Sequence, residues 1–119
     1  MEIVSQARAS EERQHDAALC DSALARVFDV LGKRWNGVIL GSLAAGPVSF
    51  SRLARGIGGI SDSVLSVRLS SLAAVGLVAR TVDEGPPVSV TYRLTDAGRA
   101  LLPALAELKA WAGEYLPEP

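Results

Sequence analysis

The groups able to do covalent or ligand chemistry are few. Cys20 is the single thiol and His15 the single imidazole in 119 residues. One cysteine excludes an intramolecular disulfide, and one cysteine with one histidine leaves a metal without a credible ligand set. No cofactor is expected, because the chain has no glycine-rich phosphate loop. It also has no Ser/His/Asp or Cys/His grouping with helical or strand support, so an enzyme is not expected. Cys20 is then the one candidate for redox chemistry. A reactive thiol needs nearby cations or a helix N-terminus. Arg26 and the start of the following helix supply these, while Asp16 and Asp21 oppose them. A redox sensor and an incidental cysteine both remain open.

The second chemistry is hydrogen bonding and charge pairing to nucleic acid. Leu65, Leu69 and Leu72 fall at i, i+4 and i+7, one stripe of a helix. Ser61 can cap that helix and Gly76 can stop it. With the stripe buried, Ser63, Val67, Ser70 and Ser71 point the other way, with Ser66 at the edge. A face that met only water would be filled with Lys, Glu and Arg. Small hydroxyl side chains instead suit a surface pressed against something, since serine bonds phosphates or base edges and valine can touch a thymine methyl. Arg68 sits at the boundary of the stripe, where it could reach a phosphate or pair with Asp62 or Glu84. Arg52 and Arg55, one segment earlier, could meet the DNA backbone. Ser61, Ser63, Ser66, Val67, Arg68, Ser70, Arg52 and Arg55 are therefore the candidate DNA-binding residues.

The charge distribution agrees. Overall the net charge is −1, which taken whole argues against a nucleic-acid binder. Residues 26–80, however, hold seven bases against two acids, a net of +5, and each flank carries −3. Affinity for DNA follows the phosphates locally neutralised, not the total charge.

These residues need elements to hold them. The length allows one domain, and 49% hydrophobic residues suffice for one core. No window approaches the apolar length of a membrane span or a signal sequence, which points to a cytoplasmic protein away from membranes. Ser22 opens helix one, striped by Ala23, Leu24, Val27, Phe28 and Leu31 and ended by Gly32. Trp35, Val38, Ile39 and Leu43 stripe helix two, ended by Gly46-Pro47. Ser49 caps helix three, with Phe50, Leu53, Ala54 and Ile57, and Gly58-Gly59 turns the chain into the serine-faced helix four. Helices three and four form a helix-turn-helix. Residues 77–82 and 89–94 then read as two strands joined by a protruding loop, Asp83 to Pro87, which forms a wing. Thr95-Asp96 caps a last helix that Pro103 should kink. Its apolar face, Leu101, Leu105, Leu108, Ala112 and Tyr115 with Trp111 to one side, exceeds what so small a core needs. The excess predicts a partner helix, most simply from a second copy of the chain. The fold class is α+β, mostly α: a winged helix-turn-helix with flanking N- and C-terminal dimerisation helices.

The succession Cys20, Gly32-Lys33-Arg34-Trp35, Gly46-Pro47 with Phe50 and Leu53, and Ile60-Ser61 with Leu65, Arg68, Leu69 and Leu72 is specific as a whole. It continues with Gly76-Leu77-Val78 and Arg80, Pro87-Val88 with Tyr92, Leu94-Thr95 with Gly98, and Trp111. In order and spacing it resembles the bacterial HxlR-type winged helix-turn-helix transcriptional regulators, from about Cys20 to Trp111. The resemblance implies residues 1–19 as an N-terminal tail or dimerisation segment and 20–119 as the regulator domain with its C-terminal dimerisation helix. It implies a homodimer on double-stranded DNA with helix four in the major groove and the wing alongside; a repressor is the expectation, and an activator remains open. It also implies an oxidant or small-molecule effector in some members, sensed through a cysteine matching Cys20. The chain departs from the family pattern at Asp21, Gly37, Ser49 and Ser63, where proline, a bulky apolar residue, arginine and lysine are common. The last two departures remove phosphate contacts and should weaken DNA binding. A winged helix serving as a protein-interaction module, without specific DNA binding, is the alternative reading.

Overall fold

The computed structural model describes residues 21–119. Cys20 and His15 lie outside them. The chain divides between Lys33 and Arg34 into two compact units.

Of the first unit, helix α1 (Ser22–Leu31) is described. Asp21 caps it: one carboxylate oxygen accepts from the N–H groups of Ala23 (3.0 Å) and Leu24 (3.1 Å). This gives two of the orphan donors of the first turn a partner and sets a negative charge at the positive end of the helix. Aspartate at this departure from the family pattern is thus a helix cap. No residue of α1 is buried, and its apolar stripe stays open, with Leu24 54% and Phe28 53% exposed.

The second unit holds helix α2 (Asn36–Ser42), strand β1 (Val48–Ser49), helices α3 (Phe50–Ile57) and α4 (Asp62–Ala74), strands β2 (Val78–Asp83) and β3 (Ser89–Leu94), and helix α5 (Asp96–Tyr115). Its core is leucine-rich: Ile39, Leu40 and Leu43 of α2 and its C-terminus meet Leu53 of α3, Leu65, Leu69 and Leu72 of α4, and Val78, Tyr92 and Leu94 of the sheet. Burying a leucine side chain is worth roughly 1.5–3 kcal/mol, so the α4 stripe alone anchors that helix firmly. One expectation is corrected here. Val38 is 54% exposed, and Leu40 takes its place in the core. Ile39 and Leu43 are buried as expected, so the buried face is shifted by one residue, and α2 starts from Trp35 in a left-handed conformation, φ 82°. Such a φ is strained for a bulky residue and persists only where surroundings impose it. Here the Trp35 ring lies under the Gly58-Gly59 turn, with Cη2 3.6 Å from where a Gly59 Cβ would stand, and the Arg34 guanidinium covers the ring at 4.8 Å.

The sheet has three strands in the order β1-β3-β2, all antiparallel, rather than the expected hairpin of two. Val48 and Ser49 pair with Tyr92 and Thr91, tying the entry of the helix-turn-helix to the wing. Strand β2 begins at Val78, one residue later than expected, because Leu77 closes the end of α4. Its N–H bonds Leu72 O (3.0 Å) and that of Gly76 bonds Ala73 O (3.0 Å), with Gly76 at φ 81°. This is the paired-bond helix stop that favours glycine. Helix α5 continues unbroken through Pro103.

Candidate nucleic-acid interface

Three local devices hold the helix-turn-helix. Ser49 Oγ accepts from Arg52 N–H (3.3 Å) and Ser61 Oγ from Val64 N–H (3.2 Å), so each helix begins on a serine cap. Between them Gly58 and Gly59 run at φ 68° and 72°, a conformation that side chains with a Cβ resist. The end of α4 is latched to the start of α5. Thr95 Oγ1 donates to Gly76 O (2.6 Å) and accepts from Gly98 N–H (3.2 Å), while Thr95 N–H donates to Leu77 O (3.1 Å). Gly98 is buried there, and a Cβ on it would overlap the Leu77 carbonyl oxygen. Recognition helix and C-terminal helix therefore share one rigid corner.

On this frame the outer face of α4 carries Ser63, Ser66, Val67, Ser70 and Ser71, all exposed, with Val67 at 57%. Arg52 and Arg55 are exposed on α3. Ser61 is also exposed, although its hydroxyl is engaged in capping. Arg68 differs from the rest. It is half-buried, and its Nε is sealed from solvent without a hydrogen-bond partner, so its stem is packed inward rather than held out from the surface. The sequence candidates omitted Arg80 and Ser51. Both line an open cavity of about 380 Å3 with Ser49, Phe50, Ser66, Val88, Ser89, Val90 and Tyr92, between the outer face of α4 and the wing. Arg80 belongs to the residues that carry the family resemblance, but nothing local marks it as a contact residue; the strand register brings it there.

The wing loop is shaped by Asp83, whose carboxylate accepts from Gly85 N–H (3.0 Å). On α5, Leu101, Leu105 and Ala112 are half-buried, whereas Leu108 (47%), Trp111 (52%) and Tyr115 (64%) are exposed. Trp111 and Tyr115 lie with ring centroids 6.2 Å apart. Among the described residues, no helix is long and apolar enough to cross a membrane.

Comparison with known proteins agrees with this geometry. The chain is 40% identical over 91 residues to the HTH-type transcriptional regulator YvaP of Bacillus subtilis, covering 76% of this chain and 84% of that one. It is 41% identical over 88 residues to YodB of the same organism, an HTH-type transcriptional regulator, covering 74% and 79%. Among solved structures, the reduced form of the transcriptional regulator YodB superposes with a TM-score of 0.73 at 38% identity, covering 80% of this chain and 93% of that one. The oxidised redox regulator HypR superposes with a TM-score of 0.75 at 29% identity, covering 81% and 99%. The family model for HxlR-like helix-turn-helix proteins matches residues 30–119. The chain belongs to the HxlR-like helix-turn-helix family of bacterial transcriptional regulators.

Proposed function

We propose that this regulator binds DNA as a homodimer, laying the outer face of α4 in the major groove and the wing beside it, and that it represses transcription. The carrying observation is the exposed row Ser63, Ser66, Val67 and Ser70 on a helix held by three buried leucines, flanked by exposed Arg52 and Arg55. In this reading Arg52 and Arg55 meet phosphates, while the serines and Val67 meet base edges. Ser61 sets the helix start, and Arg68 acts from the rim. The second copy is held through α5, where Leu101, Leu105, Leu108, Trp111, Ala112 and Tyr115 form the interface, together with the open apolar stripe of α1. The protein acts in the cytoplasm and is not an enzyme.

Control by a thiol-reactive effector is part of the same proposal. YodB, among the matched structures, is solved in quinone-bound and diamide-treated forms. Cys20 here would be the responding thiol, and its modification would shift the spacing of the two recognition helices. Footprinting on the region upstream of the protein's own gene tests the binding mode. Two protected half-sites on a pseudo-palindrome, roughly 34 Å apart centre to centre, are expected. A single unrepeated patch of protection would refute the dimeric reading.

A further inference from the structure

The inward face of the sheet runs from core to wing in three cross-strand pairs: Val78 with Leu94, Arg80 with Tyr92, and Val82 with Val90. The first pair is sealed in the core. At the second pair the apolar packing ends and the cavity beside α4 begins. Five of its lining residues carry hydroxyls, namely Ser49, Ser51, Ser66, Ser89 and Tyr92. Its only charged lining residue is Arg80, and no acid lines it. Tyr92 is 6% exposed as a residue, but its hydroxyl is not among the sealed polar atoms; it bonds no other group among the described residues and stands free at the cavity wall. Ser49 and Ser51 hydroxyls lie 3.4 Å from each other at the start of α3. A free tyrosine hydroxyl and several serine hydroxyls around one arginine, with no acid among them, suit an acceptor-rich anion.

We propose that this niche seats one phosphodiester of the DNA backbone at the junction of recognition helix and wing. Arg80 supplies the charge and a planar pair of donors, and the Tyr92 and serine hydroxyls supply further hydrogen bonds. Phe50, Val88 and Val90 form an apolar wall along which the arginine stem can lie. The niche opens beside Ser66, on the face assigned to the groove, so one contact fixes the register of α4 and of the wing together. It also offsets the cationic side chains missing at Ser49 and Ser63. The inference rests on the DNA-binding reading above.

Its test uses the full chain, as wild type and as Arg80→Gln, Arg80→Lys and Tyr92→Phe variants of unchanged melting temperature. Each is titrated between about 50 and 200 mM salt against its own upstream duplex and a scrambled duplex of equal length. Arg80→Gln is expected to weaken binding to both duplexes by the same factor, roughly tenfold. The slope of log affinity against log salt should become shallower by about 0.9 for each niche that no longer holds a phosphate. Arg80→Lys should restore the slope while leaving part of the affinity loss, and Tyr92→Phe should weaken both duplexes equally with little change in slope. An unchanged slope in Arg80→Gln overturns the proposal, whether or not affinity falls. So does a changed ratio between the duplexes, which would place Arg80 on a base edge. Inorganic phosphate that competes through Arg80 while Arg80→Gln retains duplex binding would reassign the niche to a free anion and overturn it too. Absence of salt-dependent binding by wild type would instead bring down the DNA-binding reading itself.

Discussion

Gly98→Ala sets helix propensity against packing at the corner that joins α4 to α5. In an open helix, alanine is favoured over glycine by about 1 kcal/mol. At Gly98 the added Cβ would overlap the Leu77 carbonyl oxygen and stand 3.1 Å from Leu94 Cδ2. That carbonyl is not free to move. Leu77 N–H is held by Leu72 O, and Leu77 O accepts from Thr95 N–H. Relief requires lifting the start of α5, which loosens the Thr95 bonds to Gly76 O and Leu77 O, each worth about 1 kcal/mol. Overpacking strain adds about 1–3 kcal/mol. After the propensity gain is subtracted, the net cost is about 2–4 kcal/mol, a fall in Tm of roughly 8–32 °C for a domain of this size. Gly113→Ala, in the same helix with nothing within 4 Å of its Cβ position, is the matched control and should be neutral or stabilising. Thermal unfolding followed by circular dichroism, at one fixed protein concentration, reads both. If Gly98→Ala melts with or above wild type, the rigid corner does not exist as described.

Replacing Leu108 and Trp111 by glutamate removes about 3–6 kcal/mol of apolar burial from the proposed interface, and sedimentation equilibrium should show a monomer for the variant and a dimer for wild type. Diamide or a quinone should weaken operator binding by wild type and spare Cys20→Ser; equal loss in both would place the effector elsewhere. Ser66→Ala combined with Val67→Ala should lower the ratio of operator to scrambled binding by about 1–3 kcal/mol for each base edge no longer read, with the salt slope unchanged.

Much of this architecture is legible in the residues because its signals are local. The Leu65/Leu69/Leu72 stripe, the serine caps at 49 and 61, the Gly58-Gly59 turn and the Gly76 stop each depend on neighbours within a few positions. Strand β3 is likewise marked by its alternation and occupies Ser89–Leu94 as expected. Strand β1 is not legible. Two residues have no periodicity, and their partner lies more than forty positions away. The buried face of α2 is hidden for a related reason: seven residues fix a helical phase poorly, and the helix begins at a left-handed Trp35 that no sequence pattern announces. Arg80 is named in the sequence only as part of the family pattern, and its place in the cavity is hidden because it depends on facing Tyr92 across the β2–β3 ladder, a register that no short motif states.

Binding by wild type and by an Arg52→Ala/Arg55→Ala variant, measured against the upstream duplex and its scramble over a salt series, tests DNA recognition through this face most directly. Wild type should prefer its own duplex by at least about a thousandfold. Its affinity should fall linearly in log salt, and the double variant should bind both duplexes more weakly with a shallower slope. Equal affinity of wild type for the two duplexes at every salt concentration, or a double variant indistinguishable from wild type, would contradict it.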